Sequence, residues 1–164
     1  MSTINIIKAS NEQLSMVAEL FDQYRQFYKN PADLQNATGF IKERLERQDS
    51  TIFLATVTET SATDIKTDQN TSQNKPCGFV QLYPCFSSTK MKKMYILNDL
   101  FVHPSYRKLS VATALMDAAK DFATQNNAHS LKLCTAIDNH QAQALYKKLN
   151  YKKIESFDHY QLLL

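Results

Sequence analysis

Glycine is nearly absent from this chain: in 164 residues it occurs only as Gly39 and Gly78. Two isolated glycines cannot build the glycine-rich turn of a dinucleotide fold or a Walker phosphate loop, so both are excluded. Cysteine is also sparse. Cys77, Cys85 and Cys134 form no C-x-x-C pair, which argues against a zinc ribbon or a dithiol redox motif. An odd, low count fits a reducing compartment. His103, His129, His140 and His159 lack metal-ligand spacing, and no metal is expected. No apolar run approaches the ~18–20 residues that cross a bilayer. The opening MSTINIIKAS has no basic region followed by a long apolar core, so no signal peptide is read. A soluble, cytoplasmic protein without a membrane partner is the expectation. The net charge of +3 is too mild for a nucleic-acid partner.

What remains is ordinary globular material. The chain is 43% hydrophobic and 21% charged, enough for one core and a single domain over residues 1–164. Residues 3–8 alternate as a strand. Ser10 with Gln13 forms a capping box before a helical stripe of Leu14, Val17, Ala18, Phe21, Tyr24 and Tyr28. Pro31 suits the first turn of a second helix running to about Arg47. Strands are read at 51–57, 77–83 and 94–102, the last being the most apolar and therefore central. The polar stretch 58–75 is read as a flexible loop between strands. Val111, Ala114, Leu115, Ala118 and Phe122 define a third helix, 131–135 a short strand, and a fourth helix begins near Asn139. Residues 151–156 and 157–164 look like a terminal pair of strands, and their edges are candidate homodimer contacts. The order β-α-α-β-β-β-α-β-α-β-β implies an α/β fold. Its sheet is mixed, with an antiparallel meander, parallel neighbours in the second half and helices on both faces.

The run Arg107, Lys108, Leu109, Ser110, Val111, Ala112 and Thr113 lies between a strand and a helix start. Unpaired N–H groups and the positive end of a helix dipole favour an anion there, and two basic side chains stand at its mouth. Taken alone, Arg107 and Lys108 are equally a solvated charge pair. The wider pattern decides. Asn98-Asp99-Leu100-Phe101-Val102-His103-Pro104-Ser105-Tyr106-Arg107, then Ala112, resembles the strand–loop–helix signature of the GNAT superfamily of acetyltransferases, whose loop reads Arg/Gln-x-x-Gly-x-Gly/Ala. Asn139 through Tyr151 resembles that family's second signature, Asn-x-x-Ala-x-x-x-Tyr-x-x-x-Gly-Phe/Tyr. Two departures stand out: Ser110 replaces the central glycine, and Asn150 replaces the glycine before Tyr151. Asn tolerates a left-handed backbone, so Asn150 is a mild change at a helix end. Ser110 adds a Cβ where backbone approaches phosphate, and a hydroxyl that can bind it.

The resemblance implies acetyl-CoA as co-substrate and a primary amine of a small molecule as acceptor, polyamine or amino-acid-like. Its pyrophosphate would rest on the N–H groups of residues 108–113. The pantetheine arm would pair with Leu100, Phe101 and Val102, in a gap opening toward the strand at 131–135. Leu100 N–H would polarise the thioester carbonyl, and Asn139 would bond the pantetheine. Tyr146 matches the family's donor of a proton to the leaving thiolate, a role open to a phenol of pKa near 10; on its helix it equally reads as core. Relatives often carry a glutamate base where Asn98 stands. Either Asp99 is the base, or Asp99 is structural and water relays the proton. Tyr24, Tyr28, Tyr83 and Phe86 are candidates for the acceptor pocket, as well as for ordinary packing. The rival functions are a non-catalytic acyl-CoA-binding or regulatory module and a peptide or protein N-acetyltransferase.

Overall fold

The structure, a computed structural model, describes residues 3–58 and 74–164. They divide into two compact units, Met1–Cys134 and Thr135–Leu164. In the first unit, strands β1 (Thr3–Lys8), β2 (Thr51–Thr58), β3 (Asn74–Ser87), β4 (Lys92–Val102) and β5 (Leu131–Leu133) form one sheet in that order. The first four are antiparallel neighbours, and β5 joins β4 in parallel. Thr58, Asn74 and Lys75 belong to strands rather than to the expected 58–75 loop, whose remainder lies outside the described residues.

Helix α1 (Leu14–Phe27) begins after a single 3-10 turn at Asn11–Gln13. The expected capping box is formed, with Gln13 Oε1 accepting from Ser10 N at 3.0 Å. Helix α2 (Leu34–Arg47) starts three residues after Pro31. The difference has a local cause: Asp33 accepts from Asn36 N and is the N-cap. Asp22, buried on α1, accepts from Asp33 N at 2.9 Å and fixes the chain between the two helices. Both helices pack on one face of the sheet, in a cluster of Val17, Leu20, Ile41, Ile52, Leu54, Phe79 and Phe101. Helix α3 (Val111–Gln125) takes the other face, where Phe122 meets Phe53 at 5.7 Å and Tyr95 at 5.3 Å between ring centroids.

Two irregularities shape the sheet. In β3, Gly78 pairs with Ala55 and Pro76 with Thr56, so Cys77 is an extra residue and Pro76 sits at a bulge, where proline is tolerated. In β4, Asp99 pairs with Gln81 and Leu97 with Leu82, so Asn98 is the extra residue. A bulge shifts which face each later side chain takes. Tyr95 accordingly lies against Phe122 of α3, whereas Phe101, an even number of residues on, lies against Tyr24 of α1 at 6.4 Å.

The second unit contains α4 (His140–Lys148). The terminal strands expected at 151–156 and 157–164 are not formed: residues 151–164 carry no strand pairing, and every residue from Lys152 on is exposed. Strand propensity reflects the fit of side chains to a half-buried pleated surface, and these side chains are not buried. A homodimer built by pairing those strands therefore has no preformed edge here.

Candidate active site

Three features of the first unit meet around the end of β4. The first is a split in the sheet. Parallel pairing of β4 with β5 runs Tyr95↔Leu131, Ile96↔Lys132, Leu97↔Leu133 and stops there. From Asn98 to Val102, β4 keeps β3 on one side and has no strand partner on the other among the described residues. This is the gap in which Leu100, Phe101 and Val102 were expected to meet an extended ligand. The Phe101 side chain is buried against Tyr24, which leaves its backbone for that purpose.

The second feature is the turn from β4 into α3. Lys108 (φ 65°) and Ser110 (φ 63°) both take the left-handed conformation, uncommon outside glycine. Ser110 is the N-cap of α3, yet its side chain caps nothing. The first helical N–H groups, at Val111, Ala112 and Thr113, have no intrahelical acceptor, and the hydroxyl that could have covered one is withheld. Val111 is buried and anchors the turn, while Leu109 is exposed. Arg107 is exposed, and its Nε donates to the Val102 carbonyl at 3.3 Å, tying the turn to the end of β4. Gly78 explains how closely α3 approaches: a Cβ there would stand 2.7 Å from the Phe101 carbonyl oxygen and 3.2 Å from Val111 and Leu115 side chains. These residues fit the diphosphate of a nucleotide-bearing co-substrate, with bare backbone donors, a positive dipole end and flanking basic side chains.

The third feature is a buried carboxylate. Asp99 is 4% exposed, whereas its neighbour Asn98 is exposed at the bulge. Burial raises the Asp99 pKa above the ordinary aspartate value, opposed by hydrogen bonds from Asn98 and Tyr24. Asn98 Nδ2 donates to Asp99 Oδ1 at 3.1 Å. Tyr24 also packs edge-on against Tyr28, at 5.1 Å between centroids, and Tyr28 is exposed. Tyr83 is half-buried, and its pKa is pushed up to about 12, first by burial and then by the negative charge of Asp99. Tyr24, Tyr83 and Asp99 are thus brought together, and Tyr28 extends them to the surface. Phe86 is not: it is exposed, five residues beyond Gln81 along β3, ~17 Å at the rise of a strand.

One participant goes unnamed in the motifs. Gln81 is fully buried, directly opposite Asp99, and its Nε2 donates to the Tyr83 hydroxyl at 2.8 Å. The available signal was a lone amide inside the apolar run Phe79-Val80-Gln81-Leu82, since buried polar groups are kept only where they are bonded.

In the second unit, Asn139 is the N-cap of α4 and its Oδ1 accepts from Ala142 N at 3.1 Å. A bond from Asn139 to a ligand would therefore come from Nδ2. The other end of α4 closes in a Schellman motif: Tyr151 N donates to Tyr146 O at 2.9 Å and Asn150 N to Lys147 O at 3.1 Å. Asn150 occupies the left-handed position at φ 64°. The hydrophobic contact of the motif is Tyr146 with Tyr151, ring centroids 6.0 Å apart.

Among the described residues no group of three His, Cys, Asp or Glu side chains is placed to hold a metal, and no helix is long and apolar enough to cross a membrane.

Comparison with known proteins places these features in a setting. The model of the Acetyltransferase (GNAT) family matches residues 15–151. An uncharacterised N-acetyltransferase of Bacillus subtilis (strain 168), YhfO, is 42% identical over 157 residues, covering 96% of this chain and 95% of that one. A probable acetyltransferase of Haemophilus influenzae is 29% identical over 126 residues, covering 76% and 77%. The crystal structure of a probable acetyltransferase superposes with a TM-score of 0.82 at 32% identity, over 98% of this chain and 97% of that one. The aminoglycoside N-acetyltransferase AAC(6')-Iy, in complex with CoA, shares the fold with a TM-score of 0.74 at 20% identity, over 99% and 96%.

Proposed function

The chain belongs to the acetyltransferase (GNAT) family, and we propose that it transfers the acetyl group of acetyl-CoA to the primary amine of a small molecule, polyamine or amino-acid-like, by direct attack in a ternary complex. The observation that carries this reading is the buried Asp99 carboxylate, two residues beyond the point where β4 loses its parallel partner. A carboxylate whose pKa is raised by burial is a better proton acceptor than one in water, as an ammonium nucleophile requires. Tyr24 and Tyr28 offer ring faces for a cationic amine on its way there. Acetyl-CoA as donor is supported by the N–H groups of α3 and by the CoA held in the related aminoglycoside enzyme.

In this reading the ammonium gives one proton to Asp99, the freed amine nitrogen attacks the thioester carbonyl carbon, the carbon–sulfur bond breaks, and the second proton on that nitrogen passes to the phenolate left once Tyr146 has protonated the sulfur. Leu100 N–H bonds the carbonyl oxygen, and Tyr146 protonates the departing thiolate. Asn139 holds the pantetheine.

The test is thiol release from acetyl-CoA against a panel of polyamines, amino acids, aminoglycosides and peptides, with mass spectrometry of the acceptor. A small amine should gain one acetyl group, and Tyr146→Phe and Asp99→Asn should each slow turnover by at least tenfold while acetyl-CoA still binds. Acetylation confined to peptides would overturn the small-molecule reading. Full activity in Asp99→Asn would remove Asp99 as the base.

A further inference from the structure

Gln81 is out of place on stability grounds. It is 0% exposed in the middle of a central strand, and its Oε1 has no hydrogen-bond partner among the described groups. Leaving such an acceptor dry costs ~1–3 kcal/mol. An apolar side chain of similar length would avoid that cost. Among the described residues the amide makes one bond, from Nε2 to the Tyr83 hydroxyl oxygen.

That bond decides where the Tyr83 proton points. A phenol oxygen engaged by a donor must turn its own O–H elsewhere. Tyr83 lies two residues along β3 from Gln81, on the same face, and Gln81 faces Asp99 across the ladder. Tyr83 is thus the diagonal neighbour of Asp99, within reach of an aromatic side chain. The groups facing Asp99 are Asn98 on its own strand, Tyr24 on α1, and Gln81 and Tyr83 on β3; the charged pair Arg44 and Asp49 acts on Tyr83 from the end of α2.

We propose that Gln81 is a positioning residue for Asp99, its amide locking the Tyr83 oxygen so that the phenol directs its proton toward the Asp99 carboxylate. The hydroxyl then stabilises the ionised form of the base from the β3 side, as Tyr24 does from α1. This rests on the assignment of Asp99 as base, but one of its tests does not require turnover.

The experiment is a carbon-13 NMR titration of the aspartate carboxyl groups, with Asp99 assigned from Asp99→Asn. Tyr83→Phe should raise the Asp99 midpoint by about half a unit or more. Gln81→Met should raise it by a smaller amount. Gln81→Met added to Tyr83→Phe should have no further effect. The acid limb of kcat/KM should move to higher pH in the same order. Thermal melts should show Gln81→Met at least as stable as the parent, because the dry acceptor is gone. An unmoved Asp99 midpoint in Tyr83→Phe or Gln81→Met would overturn the proposal. So would additive effects in the double variant, or a Gln81→Met protein that loses stability and activity together. If Asp99→Asn keeps the parental acid limb while the midpoints still move as stated, the base assignment fails and the positioning contact stands.

Discussion

Replacing Ser110 by glycine should make this protein more stable. Ser110 stands at φ 63°, where the Cβ of an L-residue crowds its own backbone. That conformation costs roughly 1–2 kcal/mol for a residue other than glycine. Glycine escapes it but surrenders about 0.5–1 kcal/mol in the extra freedom of the unfolded chain. Because Ser110 caps nothing, no hydrogen bond is lost. The net gain is ~0.5–1 kcal/mol, equivalent to about 1–4 °C in Tm for a chain of this size. Ser110→Val should lose a comparable amount or more, since a β-branched residue is a poor occupant of that region. Asn150→Gly is an internal control. It lies at φ 64° but begins from the side chain that best tolerates the geometry, so its gain should be smaller. Differential scanning fluorimetry reads all three, and calorimetry with acetyl-CoA reads the second question. If the Ser110 hydroxyl bonds phosphate, Ser110→Gly and Ser110→Ala should weaken binding alike, by about fivefold for one hydrogen bond. If closeness of backbone matters more, only the glycine variant tightens it. A fall in Tm for Ser110→Gly, together with no penalty for valine, would refute the left-handed turn itself.

Three further outcomes follow from geometry described above. Gly78→Ala should cost ~1–3 kcal/mol by overpacking and weaken acetyl-CoA binding, since the new methyl meets a backbone oxygen at 2.7 Å and cannot be relieved by a rotamer; equal Tm values would refute it. Asp99→Asn should raise Tm at neutral pH while slowing turnover by at least tenfold. The folded state holds the Asp99 proton to higher pH than the unfolded chain does, so ionisation destabilises the parent as pH rises through the folded pKa. The advantage of the variant should vanish below the ordinary aspartate range, near pH 3.9, and a gap independent of pH would contradict the assignment. Alkylation at mildly basic pH should modify exposed Cys134 and spare Cys77, whose thiol is buried and pushed up to about 11; peptide mapping by mass spectrometry checks this.

Much of the fold was legible because the sequence writes it locally. The Ser10–Gln13 capping box, the stripes of α1 and α3, and the Asn150 helix end each depend on residues within a few positions of one another. What was not legible depends on partners distant in sequence. The bulge at Asn98 shows only when β4 is laid against β3, and the role of Gln81 only when its side chain is seen against Tyr83 and Asp99. The terminal strands failed for the converse reason. Residues 151–164 have the composition of strands, and pairing requires a neighbour that composition does not name. Pro31 misled because a cap two residues later, Asp33, outcompetes proline as the start signal. Of the candidate site, the turn before α3 and the carboxylate of Asp99 were visible as motif and charge, though neither the left-handed backbone of the one nor the burial of the other was. Phe86 was drawn in only by its nearness in sequence to Tyr83, and the strand carries it away.

Asn98 gives β4 something like a reading frame. Upstream of it, odd-numbered side chains such as Tyr95 meet α3; downstream, odd-numbered ones such as Phe101 meet α1. Asp99 is the first letter of the second frame. Deleting Asn98 would let Asp99 follow Leu97 in plain alternation, so Asp99 and Phe101 would keep the α1 side and their partners on β3. What would go is the bend and the added twist of the bulge, at the point where β4 leaves β5. A substitution at Asn98 changes one side chain, whereas its removal would straighten the strand on which the gap depends.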